Sequence, residues 1–195
     1  MIESGKKLEE WRHLIEQPKS IFAWPSWKTQ KVVRENTAKA KAAERQPFYS
    51  VAAERIELLI QLMDENDISI EIVRIRLQAW TQRPMEDITA TFEVLHQDRW
   101  VCISRIDFAP SAPHTNVNWR KFRLSPEVNG SHIHLYEDNA KLGDEAFKPS
   151  ANLPNASPLQ AEPQSFRDVA KEIEQHFHIS GLSELPPPDW SGRLL

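Results

Sequence analysis

Hydrophobic residues along this chain recur first at helical spacing and then at alternating spacing, and the change of period marks out its elements. Over residues 2–16, Leu8, Trp11, Leu14 and Ile15 share one helical face, and Pro18 stops the run. The aromatic strip from Ile21 to Trp27 predicts irregular chain. Residues 28–46 place Val32, Val33, Ala40 and Ala43 on a weaker helical stripe that ends at Pro47. A third helix is predicted over 51–64, where Ile56, Leu59, Ile60 and Met63 fit the i, i+3, i+4, i+7 pattern.

From Ile68 the period shortens to two. Ile70 and Ile72, then Val73, Ile75, Leu77 and Ala79, alternate with one slip of phase, which predicts a β-bulge or burial of both faces at that point. Ile88, Ala90, Phe92 and Val94 alternate with Thr89, Thr91 and Glu93; the turn His96 to Arg99 then leads into a strand from Trp100 to Phe108, making a hairpin. A loop over 109–118 precedes a short strand at 121–124, a turn at 127–130 and a strand from Ser131 to Tyr136. A proline-rich connection over 137–164 precedes a final helix. Ser165-Phe166-Arg167-Asp168 opens it as a variant capping box, Phe166, Val169, Ile173 and Phe177 form its stripe, and Gly181 closes it.

The expected class is therefore α+β: about five strands in a largely antiparallel sheet, packed by N-terminal helices and one C-terminal helix. The chain divides into a basic helical arm (1–48), an α+β core domain (49–181) and a proline-rich tail (182–195) whose Glu184 to Trp190 stretch suits a polyproline conformation.

Composition narrows the class further. Hydrophobic residues at 40% against 27% charged ones give a folded chain rather than a disordered one. Cys102 is the single cysteine, so no intramolecular disulfide can form, and a reducing, cytoplasmic setting is expected. No apolar run approaches the ~18 residues a membrane helix needs, so neither a signal peptide nor a membrane span is expected. Charge is unevenly spread: the net is −4, but residues 19–48 carry +5 and residues 137–189 carry −6. A basic front of this kind suits a polyanion or an acidic partner, and also suits an ordinary solvated helix face.

Candidate chemistry concentrates between residues 113 and 138. Along an extended strand His132, His134 and Tyr136 point to one face, with the two imidazoles roughly 7 Å apart. His114 lies in a proline-flanked loop that returns to the same sheet, with Asn116 beside it. Three imidazoles can act as general base and acid near neutral pH, can ligate a metal of unknown identity, or can sit on a solvated strand edge without chemistry. Arg74 and Arg76, which share a strand face, and Arg105, Arg120, Lys121 and Arg123 could hold phosphate, as Asn116 and Tyr136 could hold substrate, while Trp80 and Trp119 could stack on bases. His176 and His178 form a second His-x-His, but on a helix they diverge by roughly 200° and are read as structural. The chain lacks a phosphate-binding glycine loop, a CxxC pair, HExxH and GxSxG, which disfavours P-loop NTPases, thioredoxin-like enzymes, zincins and α/β-hydrolases.

The combination Pro113-His114-Thr115-Asn116 followed by His132-Ile133-His134-Leu135-Tyr136 resembles a pattern in small uncharacterised bacterial and mobile-element proteins, some from toxin–antitoxin or phage-defence gene pairs. The resemblance implies a bacterial conflict setting in which nucleic acid or a cognate protein is the target. Taken with the residues, it leads to the expectation of a His-dependent phosphodiesterase acting on RNA, with His114, His132 and His134 catalytic and the cofactor unknown. The alternative expectation is a non-enzymatic protein whose basic arm and proline-rich tail grip a partner.

Overall fold

Alternation governs more of the chain than its helical stretches suggest. The segment Arg55–Met63 holds two hydrophobic periods at once, and the helix expected over 51–64 is instead a strand: Ile56, Leu58, Ile60 and Leu62 are buried, with the intervening residues more exposed. Cross-strand hydrogen bonding to the next strand, in register from Arg55↔Trp80 to Gln61↔Arg74, favours the period of two. The computed structural model describes residues 2–23, 25–30, 55–81, 83 and 85–188. Most of the helix expected over 28–46, residues 31–48 of the basic arm and Trp190 lie outside them.

The elements in chain order are α1 (Ile2–Glu16), β1 (Lys19–Ile21), β2 (Lys28–Gln30), β3 (Arg55–Met63), β4 (Ser69–Trp80), β5 (Ile88–His96), β6 (Arg99–Phe108), β7 (His114–Thr115), α2 (Trp119–Phe122), β8 (Glu127–Val128), β9 (His132–His134), α3 (Tyr136–Ala140), β10 (Ser157–Pro158), α4 (Phe166–Phe177) and β11 (Ile179–Ser180). Nine strands form one sheet in the order β10-β9-β6-β5-β4-β3-β1-β11, with β2 also on β3. All pairings in it are antiparallel except β1 with β11. The class is mixed α+β as expected, but the sheet is nearly twice the expected size. Apart from β3, which replaces an expected helix, the additional strands are two or three residues long, too short to leave a periodic signal.

Three local expectations need correction. The strand expected at 121–124 is the short helix α2, and the turn at 127–130 begins with β8, which pairs with β7. The strand expected to reach Tyr136 ends at His134, because Tyr136 opens α3. The phase slip near Ile72 coincides with a shift of register between β3 and β4 around Leu62. The β5–β6 hairpin turns on Gln97 and Asp98, both at positive φ (49° and 59°), as a two-residue turn that follows the twist of its strands requires.

The sheet has two chemically distinct faces. One carries Leu58, Ile60, Ile75, Leu77, Phe92 and Ile106, each at most 1% exposed. Helix α4 packs here, with Phe177 and Phe92 ring centroids 5.3 Å apart. Ser165 caps α4 as expected, its hydroxyl accepting from the Asp168 amide, but the helix ends at His178 in a left-handed conformation rather than at Gly181. At the end of α1, the buried Lys19 ammonium donates to the carbonyls of Leu14, Ile15 and Gln17, while burial lowers its pKa to about 7.

The opposite face is polar, and two rows of side chains cross it. Arg76, Thr91, Arg105 and His134 are aligned across β4, β5, β6 and β9, as are Gln78, Thr89, Asp107 and His132. Antiparallel sheets commonly keep one such face away from the core. Here the β9 end of those rows is covered by the chain at 152–156 and by the β7 loop.

Candidate metal centre

Alternation along β9 puts His132 and His134 on the polar face, and the β7–β8 hairpin brings His114 over them. The ring centroids of His114 lie 5.4 Å from His132 and 4.6 Å from His134, with 5.1 Å between the latter two. One ring nitrogen of each lies within 4.8 Å of the corresponding nitrogens of the others. His134 is fully buried, His132 is 2% exposed and His114 is half-buried.

Backbone carbonyls decide how each imidazole faces its neighbours. His114 Nε2 lies 3.1 Å from Pro154 O, His132 Nδ1 lies 2.9 Å from Gly130 O, and His134 Nδ1 lies 2.6 Å from Leu153 O. A carbonyl only accepts, so each of these nitrogens carries the proton and donates it. The lone pairs left over are on His114 Nδ1, His132 Nε2 and His134 Nε2, the last of which also lies 2.6 Å from Arg105 Nη2. Imidazoles that ligate metals are held in this manner, one nitrogen tied to an outer acceptor and the other free for the ion.

Asp107 and Arg105 complete the cluster. Asp107 Oδ2 lies 3.4 Å from His132 Nε2 and 3.2 Å from His134 Nε2. Four ligands at bonds of ~2.0 Å around a tetrahedral ion stand about 3.3 Å apart, so both separations suit a shared ion. Arg105 Nε pairs with Asp107 Oδ2 at 2.8 Å, and Arg105 Nη2 donates to His134 Nε2 at 2.6 Å. Burial pushes the Asp107 carboxyl up, but hydrogen bonding from His132 and His134 and the Arg105 charge outweigh it, so Asp107 stays well below the usual carboxylate range. Burial lowers the pKa of His134 to about 4 and also lowers that of His114, and both are neutral ligands at neutral pH.

His132 is left in conflict. Its Nδ1 faces Gly130 O and its Nε2 faces Asp107 Oδ2, two oxygens that only accept, whereas a neutral imidazole has a single N–H. A positive charge between Nε2 and the carboxylate, either a second proton or a metal ion, satisfies both sides.

An outer layer holds the carbonyls in place. Asn152 and Leu153 both adopt left-handed φ (51° and 56°), a conformation a leucine seldom takes, and it turns Leu153 O onto His134. Asn116 is buried; its Nδ2 donates to Ser125 O and Ala156 O, and its Oδ1 accepts from Ala156 N at 2.6 Å. Asn139 grips Asn155 in the same way. Glu162 accepts from the Ser131 amide and hydroxyl, and its carboxylate occupies the space a Cβ at Gly130 would need; Gly130 itself has φ +71°.

The other candidates sit elsewhere. Arg74 and Arg76 share the polar face but grip the buried carboxylate of Glu93 at 2.7 Å and 2.5 Å, and Arg76 is three strands from His134. Asn116 is spent on backbone groups. Tyr136 leaves the His132 and His134 face, because α3 starts there, and donates its hydroxyl to Leu8 O. His176 pairs with Glu172 along α4, and His178 is exposed beyond its end. Sequence reading named Arg105 only among several cations that could hold phosphate, and overlooked Asp107, Gly130, Leu153 and Pro154. Only the Arg105/Asp107 alternation in β6 could have signalled any of them.

Among the described residues, no helix is long and apolar enough to cross a membrane. No family model, no curated protein and no solved structure matches this chain.

Proposed function

We propose that this protein is a metal-dependent hydrolase of phosphate esters, with a divalent first-row ion, zinc first among them, held by His114, His132 and His134 beside Asp107. One observation carries this reading: three imidazoles each give their proton to a backbone carbonyl and keep one ring nitrogen within 4.8 Å of one another. Imidazole and carboxylate donors suit zinc among the common ions. A bound ion would lower the pKa of a coordinated water toward neutrality. With water so activated, hydrolysis would join a water oxygen to phosphorus, break the bond from phosphorus to the leaving oxygen and return a proton to that oxygen, consuming one water per ester. Arg105 stands beside the centre to balance charge developing on the phosphoryl oxygens.

Proton transfer by the histidines alone is the weaker reading of the same cluster. His134 is 0% exposed and has both nitrogens engaged, which leaves it no path to a substrate. Residues 31–48 of the basic arm, on which an interaction role would draw, lie outside the described residues.

The test is metal stoichiometry followed by activity. Protein stripped with chelator and dialysed against zinc should retain about one equivalent, and His114→Ala and His132→Ala should each weaken retention by roughly a hundredfold or more as a ligand is lost. Hydrolysis of bis(p-nitrophenyl) phosphate should follow the zinc content. Wild-type protein that holds no zinc, manganese, cobalt or nickel would refute the proposal.

A further inference from the structure

A pocket of about 570 Å³ adjoins the three histidines, with His114, His132 and Arg105 along one side and Arg55, Trp80 and Arg83 along the other. Its volume falls in the range of small-molecule sites. It spans the polar face from His132 on β9 to Arg55 on β3, four strand spacings or about 19 Å, over a floor that includes Thr89. The pocket therefore has two cationic ends and a neutral middle.

The end away from the histidines is built for an anion. Arg55 Nη2 donates to Gln78 Oε1 at 2.6 Å, while Arg55 Nε is buried with no hydrogen-bond partner among the described residues. The Arg55 guanidinium lies over the Trp80 indole, its Cζ 5.7 Å from the ring centroid. Arg83 pairs with Asp87 Oδ2 at 2.8 Å, and Asp87 Oδ1 accepts from the Ser111 amide at 2.7 Å, which fixes the rim. Among the charged side chains of the lining, Arg55, Arg83 and Arg105 outnumber Asp87 and Asp107, so the pocket is positive before any ion enters.

We infer that this pocket binds the end of a single-stranded nucleic acid, with one phosphate at the histidine cluster, the adjacent phosphate on Arg55 and Arg83, and a base against Trp80. The inference rests on the phosphate-ester reading above and adds the substrate class. The pocket is continuous from the histidines to Arg55 and has the volume of a small-molecule site, so one short ligand can touch both ends. Guanidinium groups suit phosphate oxygens because they donate in pairs, and an aromatic ring accepts any base by stacking. A simple phosphate monoester would leave the Arg55 Nε donor unmet, Arg83 having Asp87 beside it.

Equilibrium binding of dinucleotides tests this independently of catalysis. The full chain is titrated with the two-phosphate dinucleotide pUpU and the one-phosphate UpU, and with pTpT and TpT, in zinc and in EDTA. The extra phosphate should tighten binding about tenfold with at least one of the sugars, and the sugar that shows it identifies RNA or DNA. Because Arg55 and Arg83 supply that preference, it should persist in EDTA. In the double variant Arg55→Gln, Arg83→Gln the ratio should collapse to within about twofold of unity, and Trp80→Ala should weaken both ligands by fivefold or more. Equal affinity for one and two phosphates, a ratio unchanged in the double variant, or no binding of any dinucleotide would overturn the inference. Loss of zinc binding alone would instead sink the metal reading and leave this result standing.

Discussion

Arg105 holds the position that a metal ion must take. The single free lone pair of His134 Nε2 accepts from Arg105 Nη2, and the Asp107 carboxylate that would face an ion pairs with the same guanidinium. Arginine and metal therefore compete for one lone pair and one carboxylate. A hydrogen bond from a charged donor is worth about 1.5–3 kcal/mol, so removing the competitor should tighten zinc binding by roughly ten- to a hundredfold. Arg105→Met keeps the aliphatic stem and removes the charge; zinc affinity measured against a competing chelator should rise as phosphate-ester turnover falls. An affinity that drops would mean that Arg105 supports the ion rather than displaces it. The histidines were readable from sequence because alternation along one short strand shows which of its residues share a face. Their partners were not, since β6 meets β9 only through a pairing across a 24-residue excursion that contains β7, α2 and β8.

At the scale of elements, the stretch 153–156 carries little regular structure yet positions two of the three imidazoles through its carbonyls. Proline and asparagine made it read as a surface connection, whereas Leu153, Asn155 and Ala156 are all buried. What holds it in place is side-chain bonding from Asn116 and Asn139, which no hydrophobic period reports. Asn116→Ala removes three hydrogen bonds at a buried site, and urea unfolding should show a loss of about 2–4 kcal/mol. Zinc affinity should also fall by roughly tenfold, although Asn116 lies outside the ligand set, because Pro154 O would no longer be held against His114. If stability falls while zinc affinity stays constant, Asn116 serves the fold alone. Ambiguity of another kind affected β3, whose Arg-Ile-Glu-Leu-Leu-Ile-Gln-Leu-Met run satisfies a helix and a strand equally and is decided by the neighbouring strand.

Taken over the whole molecule, the sheet divides charge and grease between its faces, and the polar face is where acid should act first. Near the Glu93 end, buried arginine–glutamate pairs involving Arg74 and Arg76 keep that face charged but closed. Near the β9 end the His114 and His134 imidazoles are neutral. His134 titrates near 6.5 in an unfolded chain and near 4 in the folded protein, chiefly through burial, and His114 and His176 shift in the same direction. Between those pH values the unfolded chain binds the extra proton, so stability is complete above about pH 6.5 and is lost as pH falls toward 4. The Asp107 carboxylate, held low, contributes its loss only below that window. For His134 the difference is on the order of 3 kcal/mol, and denaturant midpoints of the chelator-treated protein between pH 7 and 4 should show most of it. The fall should be markedly shallower in His134→Asn, which folds without a group to protonate; an equal fall in both proteins would place the acid sensitivity elsewhere. With zinc at a hundred times its dissociation constant the folded state should gain about 2.7 kcal/mol at neutral pH. That gain should itself shrink on acidification, since protons and the ion compete for the same three lone pairs.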